Sequence, residues 1–267
     1  MTSLRLASLP TIAAMLLSTT TTLAAELDPV DLRIEIFGFA GLHVLTNHTR
    51  VATSPDRYAI TMDLDTRGLA SVFVDLTSHS QVQGRIVADA VHPEAYRGDV
   101  RRNGIDHHYR VDYRPDGAVV TASLQPTELR GLVAADHSGG AVDQLTAYFI
   151  VARQLARRGS CALTIAVFDG HGRYDLRFSD AQPQALPASD NYFSGPTQLC
   201  SLTHQDIRVI DASGGEAGYR GGKIWYARLV SGDQMVPVRM EFDTEFGVVR
   251  GYLAELHGRG VDLRLMQ

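Results

Sequence analysis

Apolar and polar positions alternate with period two from Asp31 onward. In "RYAITMDLDT", Tyr58, Ile60, Met62 and Leu64 share one side, and Thr61, Asp63 and Asp65 the other. Neighbouring side chains on a strand point to opposite faces, so this pattern predicts a half-buried antiparallel strand. "LRIEIFGFAGLHVLTNHTRVA" repeats the form around a break at Gly38 to Gly41. Further strands are predicted in "LASVFVDLTSHSQVQGRI", "HHYRVDYRPDGAVVTASL", "CALTIAVFDGHGRYDLRFSD" and "LCSLTHQDIRVIDA". "KIWYARL", "MVPVRMEFDTEFGVVRGYLAELHG" and "VDLRLM" close the chain. "RPDG" has hairpin chemistry, because Pro presets φ and Gly accepts a positive one. The Asp-Gly of "DGHG" marks another hairpin.

One segment breaks the pattern. "VDQLTAYFIVARQLARRGSC", Val142 to Cys161, has helical spacing. Val142, Leu145, Phe149 and Ala152 form one apolar stripe, and Tyr148, Val151 and Leu155 form a second beside it. So wide an apolar arc predicts a central helix at about 141–158 enclosed by its neighbours. Asp136 and Ser138 can cap it, Asp143 falls in its first turn, Arg157 and Arg158 in its last, and Gly159 stops it. The preceding "TELRGLVAADHSGG" has the composition of a linker.

The first 25 residues carry Arg5, an apolar run from Leu6 to Leu17 and small residues at Ala24 and Ala25. This predicts a signal peptide over 1–25, with an uncleaved anchor as the alternative. The apolar run is shorter than the roughly 20 residues a membrane span needs. Residues 26–267 are then expected to be a single β-rich domain exported to the periplasm of a Gram-negative cell. The net charge of -5 argues against a nucleic-acid partner. No other segment is apolar enough to span a membrane.

After export, Cys161 and Cys200 are the two cysteines left. In an oxidising compartment a pair reads as one disulfide. Closing a loop of about 40 residues stabilises a fold by about 3–4 kcal/mol on the chain-entropy model. The alternative is a reactive thiol at Cys161, with Arg157 and Arg158 close enough to lower its pKa.

Motifs for catalysis are sparse. Neither a Gly-x-Ser-x-Gly elbow nor a His-Glu-x-x-His pair occurs. "GYRGGKI" lacks both the first glycine and the hydroxyl residue of a phosphate loop, so it reads as a turn. His107 and His108 are strand neighbours and so face apart, which does not suit one metal. Neither a metal nor a cofactor is expected. "EFDTEF" aligns Glu241, Asp243 and Glu245 on one face, opposite Met240, Phe242 and Phe246. Such alternation is what a half-buried strand produces by default. Paired carboxylates of this kind also serve hydrolases. Trp225 and Tyr226 can line a sugar or lipid groove, or belong to the core.

The order of several segments resembles the exported bacterial family known as domain of unknown function 3108. The match runs through "RYAITMDLDTRGLA", "SQVQGRIVADAVHPEAY" with Gly84, Pro93 and Tyr96, and "YRVDYRPDG". It continues through "DQLTAYF", Cys161, "VFDGHGRYDLRF", Cys200, and "KIWYARLVSGDQMVPVRMEFDTEFGVVRGYL" with Trp225 and Pro237. The resemblance implies a mainly β fold. Its large, curved antiparallel sheet, a β-spiral or half-barrel shaped like a clam, encloses one helix. In outline this is similar to periplasmic lipoprotein carriers and envelope-integrity proteins. It implies no catalytic residue.

The expectation is therefore a periplasmic cell-envelope protein without enzymatic activity. Its concave face would bind a lipid, a lipoprotein segment or an envelope partner. Val142, Leu145, Tyr148, Phe149, Leu155 and Trp225 are the candidate cavity and helix residues. A hydrolase of cell-wall or polysaccharide material using Asp243 and Glu245, and a structural scaffold, are the alternatives.

Overall fold

The computed structural model describes residues 27–66, 75–115, 119–125, 140–168, 172–209, 220–244 and 247–266. The expected leader, most of the linker, Asp136, Ser138, Glu245 and Phe246 lie outside these residues. So do parts of the "RPDG", "DGHG" and "GYRGGKI" turns.

The period-two segments form long antiparallel strands. β1 (Asp28–Phe37), β2 (His43–Thr53), β3 (Arg57–Thr66) and β4 (Leu76–Val87) run as a meander. β5 (Ala90–Arg102), β6 (Ile105–Tyr113) and β7 (Val119–Gln125) extend it. An α-helix, α1 (Gln144–Arg158), follows. β8 (Leu163–Phe168), β9 (Gly172–Asp180), β10 (Gln184–Leu186) and β11 (Gly195–Val209) come next. β12 (Gly221–Ala227), β13 (Val236–Thr244), β14 (Gly247–Gly258) and β15 (Val261–Arg264) complete the chain.

These strands make one sheet in the order β7-β6-β5-β4-β3-β2-β1-β14-β13-β12-β11-β9-β8, with β10 on β11 and β15 on β14. The path is open: its two ends, β7 and β8, do not pair. At its centre β14 lies beside β1, with Leu32 opposite Leu256. The mainly β, large antiparallel sheet with one helix is the architecture expected above.

The helix starts later than the apolar pattern predicts, at Gln144. Asp143 is its N-cap, not part of its first turn, with φ -73° and ψ 166°. Its carboxylate accepts the Thr146 backbone N–H at 2.9 Å. Residue 142 is drawn out of the helix by the sheet. Its N–H donates to the Ala166 carbonyl at 2.9 Å, and its carbonyl accepts from the Phe168 N–H at 2.8 Å. This pairing covers part of the free edge of β8, which otherwise would leave backbone groups without partners. Gly159 ends the helix at φ 69°, its N–H bonded to the Leu155 carbonyl at 2.9 Å. A left-handed C-cap of this kind is where glycine is favoured.

Two sides of the helix face different parts of the core, and they cut across the expected stripes: Ala152 of the first stripe packs with Val151 and Leu155 of the second. Leu145 and Phe149 pack with Val30, Leu32, Val51, Tyr58 and Ile60. Ala147, Val151 and Leu155 pack with Ile165, Leu176, Phe178 and Leu202. Polar contacts fasten the same helix to both arms of the sheet. The Tyr58 hydroxyl on β3 lies 2.8 Å from Thr146 Oγ1. Arg157 pairs with Asp89 in the β4–β5 turn. Arg153 pairs at 2.8 Å with Asp233 in the β12–β13 loop, and Arg228 Nη2 donates to the Ala156 carbonyl at 2.6 Å.

Glycine makes the first of these contacts possible. A Cβ on Gly84 of β4 would lie 2.6 Å from the Tyr58 ring and 2.8 Å from its hydroxyl, and would also strike the His92 carbonyl. Without a side chain there, the Tyr58 ring packs close against Gly84, stacks on Phe149 at 5.0 Å, and is 1 % exposed.

Cys161 and Cys200 are joined in a disulfide. It does not staple adjacent strands. Cys200 is on β11 and Cys161 leads into β8, and β9 runs between those two strands. The bridge passes over the end of β9 at Asp180, which is in register with Cys200. The Asp180 carboxylate accepts the Cys161 N–H at 2.7 Å and the Ser160 hydroxyl at 2.6 Å.

Candidate functional site

Between the helix and the concave side of the sheet lies a cavity of about 310 Å³. Alternation along the strands builds it. Leu32, Ile34 and Ile36 come from β1, and Ile60, Met62 and Leu64 from β3. Asn47, Thr49 and Val51 come from β2 between them. The opposite wall carries Ile224 and Tyr226 of β12 with Pro237, Met240 and Phe242 of β13. Leu145, Tyr148, Phe149 and Ala152 of α1 form the roof. Small-molecule sites in proteins begin at about 300 Å³ and have this mostly apolar lining.

None of the lining side chains is charged. The polar ones are few. Thr49 Oγ1 donates to Asn47 Oδ1 at 2.6 Å, so these two partly satisfy each other. Gln234 is different: it is 5 % exposed, lines the cavity, and its Oε1 is buried with no hydrogen-bond partner.

Three of the six candidate residues, Leu145, Tyr148 and Phe149, meet at this cavity. The other three lie elsewhere. Leu155 is 2 % exposed in the core beneath the disulfide. Val142 is held by its backbone to β8. Trp225 is buried away from the cavity: its Nε1 donates to Gln184 Oε1 at 2.8 Å, and the Arg239 guanidinium stacks 4.8 Å from its ring. Its strand neighbours Ile224 and Tyr226 supply the cavity wall instead.

Buried ionisable groups sit around the cavity, not in it. Asp143 is fully buried at the head of the helix. Thr146 Oγ1 donates to Asp143 Oδ2 at 2.6 Å, so that hydroxyl accepts from Tyr58. Burial pushes the Asp143 pKa up to about 6, against the opposing pull of its hydrogen bonds from Thr146. Glu35 is buried beside Ile34 and Ile36, with Thr46 Oγ1 and His43 Nε2 each 2.7 Å from Oε2. Burial raises its pKa, but the Thr46 bond and the charge of Arg33 outweigh this and hold it below the ordinary carboxylate value.

Of the carboxylates considered for hydrolysis, Glu245 lies outside the described residues. Glu241 accepts from Arg239 at 2.6 Å and Arg250 at 3.3 Å, while Asp243 is exposed. The two adjacent histidines face apart, as strand geometry requires. His108 lies 2.6 Å from Asp99, and His107 stacks on Tyr109 at 6.4 Å. No group of three or more metal-ligating side chains is found among the described residues. None of their helices is long and apolar enough to cross a membrane.

An open antiparallel β-sheet wrapped on one helix, with an uncharged cavity between them, defines a β-barrel-like class of protein. Within that class the chain belongs to the family described as protein of unknown function (DUF3108), whose profile matches residues 33–254. The fold is similar to the crystal structure of a β-barrel-like protein of domain of unknown function DUF1849 from Brucella abortus. The TM-score is 0.51 at 11% identity, covering 88% of this chain and 99% of that one. At that identity the likeness concerns fold alone. No curated protein matches the chain in sequence.

Proposed function

We propose that this chain is a periplasmic cell-envelope protein without enzymatic activity, and that its cavity binds a lipid or the acyl part of a lipoprotein. The observation that carries this is the cavity of about 310 Å³ with its apolar, uncharged walls. An apolar concavity of this size is large enough for a small ligand and has the lining such sites favour. A disulfide suits an oxidising compartment. The leader-like residues 1–25 supply a route there.

The test is native mass spectrometry of protein purified from periplasm, with organic extraction of whatever is bound. A stoichiometric lipid adduct is expected. Met62→Asp, which puts a charge on the cavity wall, should abolish it while leaving the fold intact by circular dichroism. A ligand-free mass from gently purified, folded protein overturns the proposal.

A further inference from the structure

We infer that a second pocket, between the last turns of the helix and the β4–β5 turn, binds a phosphate group through Arg157 and Arg158. This goes beyond the proposed function, and the site shares no lining residue with the apolar cavity.

The pocket has a volume of about 260 Å³. Val91 of β5 and Ile150 of α1 give it apolar sides, and Arg153, Arg157 and Arg158 bring positive charge to it. Arg153 and Arg157 lie one turn apart on the same side of the helix, where like charges repel. Arg153 is also only 7 % exposed. Burial lowers its pKa, the charge of Asp233 opposes this, and the neighbouring Arg157 lowers it further. Cations are thus held close together at a cost in stability. An anion in the pocket offsets that cost.

The nearby aspartates do not balance the charge. Asp89 pairs with Arg157. Asp233 pairs with Arg153 at 2.8 Å and lies 3.9 Å from Arg157. Arg158 is exposed and forms no ion pair with any described residue. Its guanidinium therefore meets a ligand without first giving up a partner. Each guanidinium is a planar fork of N–H donors that matches two phosphate oxygens. A phosphate monoester carries about two negative charges and about three strong acceptor oxygens, so it can bridge neighbouring arginines. A carboxylate has one charge to offer them. The ester's substituent then rests against Val91 and Ile150. A phospholipid headgroup and a soluble phosphate ester share this chemistry, and the experiment separates them.

That experiment is calorimetric titration of the full-length mature protein with inorganic phosphate and with acetate. Co-sedimentation with phosphatidylcholine vesicles, with and without phosphatidic acid, accompanies it. Phosphate is expected to bind more tightly than acetate. In Arg158→Gln, which breaks no ion pair among the described residues, phosphate affinity should fall about ten- to a hundredfold, the range of one charge-assisted hydrogen bond. Arg264→Gln removes the same charge from an exposed position on β15 and should leave affinity unchanged. Vesicle retention that requires both phosphatidic acid and Arg158 assigns the site to a lipid headgroup. Phosphate binding in solution without vesicle retention assigns it to a soluble ester. Binding to neither phosphate nor vesicles, acetate binding as tightly as phosphate, or an equal fall in both variants overturns the inference and leaves the proposed function standing. Should Arg158→Gln fail to fold, phenylglyoxal modification of the native protein decides. Phosphate should shield Arg158, as mapped by mass spectrometry, and equal modification with and without phosphate overturns the inference.

Discussion

Asp143 offers a sharp energetic test of how the helix is held. It is fully buried, caps the helix, and has its pKa raised by burial from 3.8 to about 6. The folded state therefore binds this proton more tightly than the unfolded chain. Between those two values a falling pH adds stability, and above about pH 6 the full cost of the buried charge is present. At ~1.36 kcal/mol per pH unit, the gap amounts to about 3 kcal/mol in all. From pH 7 to pH 5 the folded protein gains about 1.3 kcal/mol from this one group. Asp143→Asn keeps a side-chain oxygen for the Thr146 N–H, and Asn is as good a cap as Asp. Its NH2 can donate to Thr146 Oγ1, whose own proton then turns to Tyr58. The variant does not titrate. Urea unfolding of both proteins at pH 7 and pH 5 isolates the effect, because every other group cancels in the double difference. The native protein should gain about 1.3 kcal/mol more than the variant on acidification. The same pH response in both proteins, within a few tenths, refutes the buried-charge account.

Three further outcomes follow from contacts described above. Gly84→Ala should displace the Tyr58 ring from β4 and cost about 1–3 kcal/mol, seen as a lower Tm with loss of the near-ultraviolet aromatic signal. Reducing the Cys161–Cys200 bridge should raise the intact mass by two hydrogens and cost about 3–4 kcal/mol in unfolding free energy. Two free thiols in oxidised protein would contradict it. Asp233→Ala should cost more than Arg153→Met in denaturant unfolding, about 3 against about 1 kcal/mol, since only the first leaves a buried cation unpaired.

Much of the architecture is legible from residue spacing alone. The Tyr58, Ile60, Met62, Leu64 face is found as expected, with the first two in the core and the last three along the cavity. Beyond its first residues the helix is where its apolar arc predicts, because no strand can use that periodicity. What escapes is whatever depends on distant chain. Val142 belongs to the helical stripe by spacing, but the free edge of β8 claims its backbone. Asp143 becomes the cap as a result. Alternation assigns residues of β12 to two faces without saying which is concave. Both faces are covered here, so Trp225 and Tyr226 look equally interior, yet they lie on opposite sides of the sheet. Gln234 carries no signal in sequence, since a glutamine beside a strand reads as solvated. Its burial at 5 % exposure depends on the tertiary fold.

The pairing of β1 with β14 sets an order of events for the growing chain. Strands β1 to β7 can zip up from neighbouring hairpins as they are made. The second edge of β1 must wait for residues more than two hundred positions later, as the alignment of Asp31 with His257 shows. Until then Leu32 and Ile34 stand on a strand with one edge unpaired, a template for other chains. Closing so long a loop is slow, and slow pairing prolongs exposure to aggregation. A chain truncated before β14 should thus fail by self-association rather than by simple unfolding, and its synthesis is vulnerable until the last long strand arrives.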